Sequence, residues 1–170
     1  MRVFLCIAPD SATAIKIDRW CTLCWPALDK PIPIQNYHIT TAFLGELNDH
    51  ALKKLSQFLD GFSQSAFEVC LDDVGYWPDS GALWLGTQQE SGPLIQLHRQ
   101  CKNAANKIGA KGGGKRYQPH LTLARKLSVP PHAALVQPEF KFSVDALQLW
   151  SSTLQAKGAI YREMGRWRLH

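Results

Sequence analysis

The 170-residue sequence has no apolar run near the roughly 20 residues that a membrane-spanning helix needs, only five cysteines, and a charged fraction of just 19%. Each shortage excludes something. No helical membrane anchor is expected. The cysteines (Cys6, Cys21, Cys24, Cys70, Cys101) are odd in number and scattered, which does not suit a disulfide framework. The opening apolar run, Val3 to Ala8, is shorter than the core of an export signal and stops at Pro9-Asp10, so the expected compartment is the cytoplasm. Asp72-Asp73 is the one adjacent acidic pair, and turn residues explain it as well as a divalent-cation site would. With 45% hydrophobic residues and scattered Gly and Pro, the chain is too apolar to be disordered and too irregular to be fibrous.

Charge is unevenly spread. Residues 1–85 hold six Lys/Arg against ten Asp/Glu, and residues 86–170 hold thirteen against four. Between Glu90 and Glu139 there is no acidic residue, while Arg99, Lys102, Lys107, Lys111, Lys115, Arg116, Arg125 and Lys126 lie there. A field of that sign favours a polyanionic ligand, although a solvated basic surface has the same composition.

Hydrophobic spacing predicts the elements. Val3–Ala8 reads as a buried strand and Asp10–Leu28 as a helix, with Ala14, Ile17, Cys21, Cys24 and Leu28 on one face. That stripe accounts for Cys21 and Cys24; a zinc or redox pair would want a second Cys pair or nearby histidines. Strands are expected at Tyr37–Leu44, Phe67–Val74, Ala82–Gly86, Tyr117–Ala124, Phe140–Trp150 and Ala159–Leu169. Further helices are expected around Leu52–Phe62 and Pro93–Ile108. An offset of 82 residues superimposes strand, helix and His-containing strand in the two halves. The expectation is therefore an α/β (α+β) protein, residues 1–170 forming a single bilobal unit. Its two pseudo-symmetric lobes would have mainly antiparallel strands and flanking helices, with a site in the central cleft.

The repeat matters for what it carries. One strand holds His38-Ile39-Thr40 and the other His120-Leu121-Thr122. Residues i and i+2 of a strand share a face about 6.6 Å apart, so each imidazole stands beside a hydroxyl while Ile39 and Leu121 face the core. Two imidazoles flanking a phosphate can act as base and acid, since either protonation state is accessible near neutrality.

In these paired motifs the sequence resembles the two-histidine phosphoesterases, and among them the bacterial RNA 2′,3′-cyclic phosphodiesterases, also called 2′-5′ RNA ligases. The likeness extends to Val3-Phe4-Leu5-Cys6-Ile7-Ala8, His38-Ile39-Thr40-Thr41-Ala42-Phe43-Leu44-Gly45, Ala82-Leu83-Trp84-Leu85-Gly86 and Pro119-His120-Leu121-Thr122-Leu123-Ala124-Arg125. It implies metal-independent hydrolysis of a 2′,3′-cyclic phosphate at an RNA end to a 2′-phosphate, with no cofactor. The alternatives are ATP-independent 2′-5′ ligation in the same site, or a non-catalytic RNA-end-binding module. His38 and His120 would be catalytic, with Thr40, Thr122 and Arg125 binding the phosphate and Phe43 contacting the base. The resemblance favours His120 as base and His38 as acid, and the basic and acidic halves of the chain lend that division weak support. Strict alternation puts Arg125 on the wrong face of its strand, so its length or a bend must return it. Thr41 stands where an apolar residue is more usual. The partner implied is RNA with a 2′,3′-cyclic phosphate end, with tRNA halves and small cyclic nucleotides as candidates, acted on by a monomer.

Other signals carry less. The run Gly109 to Lys115 has the spacing of a nucleotide phosphate loop, but Arg116 replaces the Ser/Thr and the run follows a helix rather than a strand. It reads as a connection that lends Lys115 and Arg116 to the RNA backbone. His50, His98, His132 and His170 lack a companion Thr and read as surface or packing residues, so His98→Ala is expected to be near neutral. Trp77, Trp84, Trp150 and Trp167 could stack bases, though core roles are commoner.

Overall fold

The computed structural model describes residues 2–110, 116–155 and 158–170. Nine strands and three α-helices follow in the order β1 (Arg2–Ile7), α1 (Ser11–Cys24), β2 (Ile39–Glu46), α2 (Asp49–Asp60), β3 (Phe67–Leu71), β4 (Asp73–Trp77), β5 (Ala82–Gly86), α3 (Gly92–Lys107), β6 (His120–Ala124), β7 (Phe140–Val144), β8 (Ala146–Gln155) and β9 (Gly158–Arg168). The helices start on caps that the sequence supplies. Asp10 and Asn48 each accept from the backbone N–H three residues on, as does Ser91 ahead of Pro93.

Seven strands form one sheet in the order β4-β5-β6-β2-β1-β8-β9, and β3 pairs with β7 in a second; every pairing is antiparallel. The fold is α+β, mainly antiparallel strands with flanking helices. From its middle outward the large sheet reads β2, β1, β8, β9 on one side and β6, β5, β4 on the other, and the ladder between these arms is a single pair, Ile39 with Leu121. The outer strands are exchanged: β4, from the first half of the chain, closes the arm of β5 and β6, while β8 and β9, from the end of the sequence, complete the arm of β1 and β2.

One face of the sheet is the core. Val3, Leu5, Ile7, Ile39, Leu83, Leu85, Leu121, Leu123, Leu147 and Leu149 pack there with Ile17, Cys21 and Cys24 of α1 and Leu94, Leu97 and Cys101 of α3. Phe4, Cys6 and Trp150 form a separate small cluster. They alternate with the core residues, which puts them on the opposite face. The stripe reading of Cys21 and Cys24 agrees with their burial as free thiols, and burial pushes the Cys21 thiol up to about 11.

Two expected strands divide in two. Phe67–Val74 is interrupted at Asp72 and Phe140–Trp150 at Asp145, where in each case the chain leaves the small sheet for the large one. The Asp72 carboxylate accepts from the Gln88 backbone N–H at 2.8 Å, a contact between segments 16 residues apart rather than within a local turn. Two other elements are shorter than expected. The first helix ends at Cys24, and β6 starts at His120 rather than Tyr117. The strand expected at Tyr37–Leu44 is displaced to Ile39–Glu46, which leaves His38 just ahead of it, in the segment that follows Asn36.

Candidate active site

His38 and His120 are anchored alike. His38 Nδ1 lies 2.6 Å from the Asn36 carbonyl oxygen and His120 Nδ1 lies 2.8 Å from that of Gln118, in each case the carbonyl two residues back. A carbonyl can only accept, so both rings carry their proton on Nδ1 and leave Nε2 with its lone pair. The same local device thus orients both imidazoles with the reactive nitrogen outward.

The strands that begin at the two motifs share a second device. Along β1, Leu5 pairs with Ala42 and Cys6 with Thr40, so Thr41 is an extra residue in β2. Along β5, Leu83 pairs with Ala124 and Trp84 with Thr122, so Leu123 is an extra residue in β6. Each motif is therefore bulged at the residue after its Thr, and a bulge shifts the alternation of faces by one. Phe43 pairs with Phe4, two residues from the Cys6 that pairs with Thr40, and so shares Thr40's face. By the same shift Arg125 returns to the face of Thr122, and its guanidinium donates to the Thr122 hydroxyl at 3.4 Å. The bulge resolves the face on which alternation alone would have put Arg125. The Leu123 carbonyl accepts from the Ile32 N–H at 2.8 Å.

The surroundings of the two rings differ. Around His38 stand Phe4, Trp150 and Tyr161, with ring centroids 4.9, 5.2 and 5.2 Å away. Around His120 stand Trp77 at 4.6 Å and, more distant, Trp84 at 6.5 Å. Burial pushes the His38 pKa down to about 4. The Asn36 carbonyl opposes the fall, while the charges of Arg125 and His120 add to it. His120 is also lowered, by burial first and by Arg125 as well. Both imidazoles are therefore neutral at pH 7 in the unliganded protein. The acidic half of the chain does not hold a proton on His38, because the rings packed round it strip solvent and the nearest charges are positive.

Of the other expected site residues, Thr40 is half-buried and Thr122 buried. Phe43 is 63% exposed, beside Phe4. Arg116 is exposed and bound to Glu90 at 3.0 Å. With Glu90, Trp84, Gln118 and Pro119 it borders a pocket of about 320 Å³ on the approach to β6, which His120 itself does not line. Lys115 lies outside the described residues. A larger cavity, about 790 Å³, adjoins Trp150 and is lined by Asp10, Asp145 and Glu163 with Arg166; neither catalytic-motif histidine lines it. Among the described residues, no three His, Cys, Asp or Glu side chains gather as a metal ion would require. None of the described helices is long and apolar enough to cross a membrane. Thr41 points its hydroxyl into the core near the Cys101 thiol, as its odd position in the motif foretold. Trp77, Trp84 and Trp150 all flank the histidines, whereas Trp167 donates to Asp60. Phe4 and Tyr161 escaped the sequence reading, because nothing local links strands so far apart in the chain to His38.

Comparison with known proteins agrees with the paired motifs. A relative from Escherichia coli strain K12 named RNA 2′,3′-cyclic phosphodiesterase is 30% identical over 99% of this chain and 96% of its own length. Another of that name, from Archaeoglobus fulgidus, is 27% identical over 79% of this chain and 81% of its own. The solved structure of Escherichia coli LigT complexed with 3′-AMP superimposes with a TM-score of 0.89 at 29% identity, covering 99% of this chain and 97% of that one. The sequence profile of the 2′-5′ RNA ligase superfamily matches residues 9–156, and the chain belongs to that superfamily.

Proposed function

We propose that this protein hydrolyses the 2′,3′-cyclic phosphate at an RNA end to a 2′-phosphomonoester, with His38 and His120 as the acid–base pair. The observation that carries the reading is the repeated anchoring of the two motifs. Each presents an unprotonated Nε2 beside a Thr, and the charge of Arg125 reaches both rings. The names borne by the relatives support the substrate class.

In-line displacement at phosphorus needs a group on each side of the phosphate. His120 Nε2 takes a proton from the attacking water; His38, protonated, gives one to O3′ as the P–O3′ bond breaks. This division follows the family resemblance. Resting His38 is neutral, so the acid form arises with the substrate: an anionic phosphate offsets Arg125 and draws a proton onto the imidazole. Thr40, Thr122 and Arg125 donate to the phosphate oxygens, where charge grows in the transition state. No step in this scheme calls on a metal or a cofactor.

The RNA leading to the cyclic end runs on the His120 side, past Arg116, because the cavity on the His38 side is lined by three carboxylates and one guanidinium. Phe43, open to solvent and on the Thr40 face, is placed to meet the terminal base. We further propose that residues 1–170 act as one bilobal unit, as a monomer in the cytoplasm, where five unpaired cysteines are at home. Ligation of a 5′-hydroxyl RNA end in the same cleft is the reverse chemistry.

The direct test is a short RNA ending in 2′,3′-cyclic phosphate, incubated with protein and excess chelator. A 2′-phosphate product is expected. A 3′-phosphate, no turnover, or turnover only with added metal overturns the proposal.

A further inference from the structure

Two side chains outside the paired motifs converge on the first one. His98, on α3, has Nδ1 2.7 Å from the Thr41 carbonyl oxygen. The Tyr117 hydroxyl, three residues ahead of His120, donates to the Thr40 carbonyl at 3.0 Å. The rings of His98 and Tyr117 lie on each other, centroids 3.8 Å apart and planes 2° apart. Thr40 and Thr41 are the residues at the β2 bulge. Here the ladder to β1 slips, and the recorded pairing with β6 consists of Ile39 alone. A bulge leaves backbone groups that the ladder does not satisfy. At the second motif the corresponding carbonyl, that of Leu123, is taken by a backbone N–H; at the first, two side chains do that work.

We infer that His98 and Tyr117 are positioning residues for the reaction: as a stacked pair they hold the β2 bulge, and through it the placing of Thr40 and Phe43 on the cleft face beside His38. This rests on the activity proposed above. Neither residue touches the phosphate. Burial raises the Tyr117 pKa, so the phenol keeps its proton and stays a donor throughout the working range. On the His98 side a carbonyl partner requires the proton on Nδ1. The pair also joins the halves of the molecule. α3 and the approach to β6 belong to the second motif's side, while the carbonyls they hold belong to the first. On this inference His98 is not dispensable, contrary to the expectation from its lack of a companion Thr, since a backbone partner leaves no trace in the sequence.

The test compares Tyr117→Phe and His98→Phe, which keep an aromatic ring in place and remove the hydrogen bond, with His98→Gln, which returns an N–H donor. Displacing reacting groups by a fraction of an ångström costs on the order of 10- to 100-fold in rate. The expected result is a fall in kcat of about tenfold or more in both Phe variants, with KM within about twofold, melting temperature near wild type, and substantial recovery in His98→Gln. Wild-type kcat in either folded Phe variant overturns the inference, as does loss of kcat only in step with loss of melting temperature. Should one variant fail to fold, the other decides. A second readout separates this inference from the proposed activity: NMR titration of the His38 imidazole in wild type and variants, without substrate. Loosening the bulge admits water, and the His38 pKa should rise from about 4 toward the ordinary 6.5. An unmoved His38 pKa counts against positioning even if the wild-type protein hydrolyses nothing, a result that would by itself refute only the activity.

Discussion

His38 and His120 are tied to the backbone in the same way and stand at the start of strands bulged at the same place, His38 just ahead of β2 and His120 as the first residue of β6, yet their neighbourhoods are unlike. Three rings from β1, β8 and β9 close on His38, while His120 meets Trp77 at its edge and Trp84 farther off. The position three residues past the Thr is an exposed Phe in one motif and an Arg that reaches its own Thr in the other. The duplicated frame thus supplies geometry twice, and the unduplicated side chains make the copies chemically different. A reaction with a base on one side and an acid on the other needs that combination.

The strongest way to break the comparison is to remove the imidazoles one at a time. His38→Ala and His120→Ala should each lose at least about 100-fold in kcat. A substrate with a good leaving group in place of O3′ needs little proton donation, so it should rescue His38→Ala substantially and His120→Ala hardly at all. The opposite pattern exchanges their roles. Next in size is the pair at the equivalent third position. Arg125→Ala should lower kcat by about 10- to 100-fold, because it faces charge that grows in the transition state, whereas Phe43→Ala should act chiefly on KM for oligomers. Equal effects on kcat would mean the two positions do the same work.

Proton affinity sharpens the comparison further. Both histidines are shifted below 6.5 in the free protein, so kcat/KM should peak on the acid side of 6.5 and fall as pH rises, while a bound anionic phosphate should move the kcat profile upward. A kcat/KM profile centred at pH 8 would contradict the buried, neutral pair. Stability follows the same shifts. A histidine whose folded pKa is depressed adds stability above its unfolded pKa and loses it as pH falls toward the folded value. For His38 that window runs from about 6.5 to about 4 and amounts to about 3 kcal/mol. Denaturant titration should show His38→Ala flattening this decline more than His120→Ala does. The smallest expected effect is that of salt. RNA binding should weaken with a log–log slope of about 0.7 per contacted phosphate, and a minimal cyclic nucleotide should respond less.

The candidate residues of the proposed reaction are readable because the motifs are local: a His and a Thr two apart along an extended segment need no knowledge of the rest of the fold. Helix stripes such as Leu94, Leu97, Cys101 and Ala104 were readable for the same reason. The bulges at Thr41 and Leu123 were not, since a bulge is a relation between two strands and neither sequence marks it. The divisions at Asp72 and Asp145 were hidden because the strand character continues across each while the sheet changes. The aromatic wall of His38 comes from positions 4, 150 and 161, which only the exchange of outer strands brings together.

That exchange has a consequence for how the protein is made. β1 leaves the ribosome long before the strand beside it, β8, which begins at Ala146. Trp150 and Tyr161, two of the three walls of His38, arrive later still. The arm bearing the first histidine therefore stays open along one edge until β8 has been synthesised. The arm bearing the second has all its strands once Ala124 has emerged. During translation the half that is encoded first is the half completed last, and the unpaired edge of β1 is the place where a nascent chain is most open to mispairing.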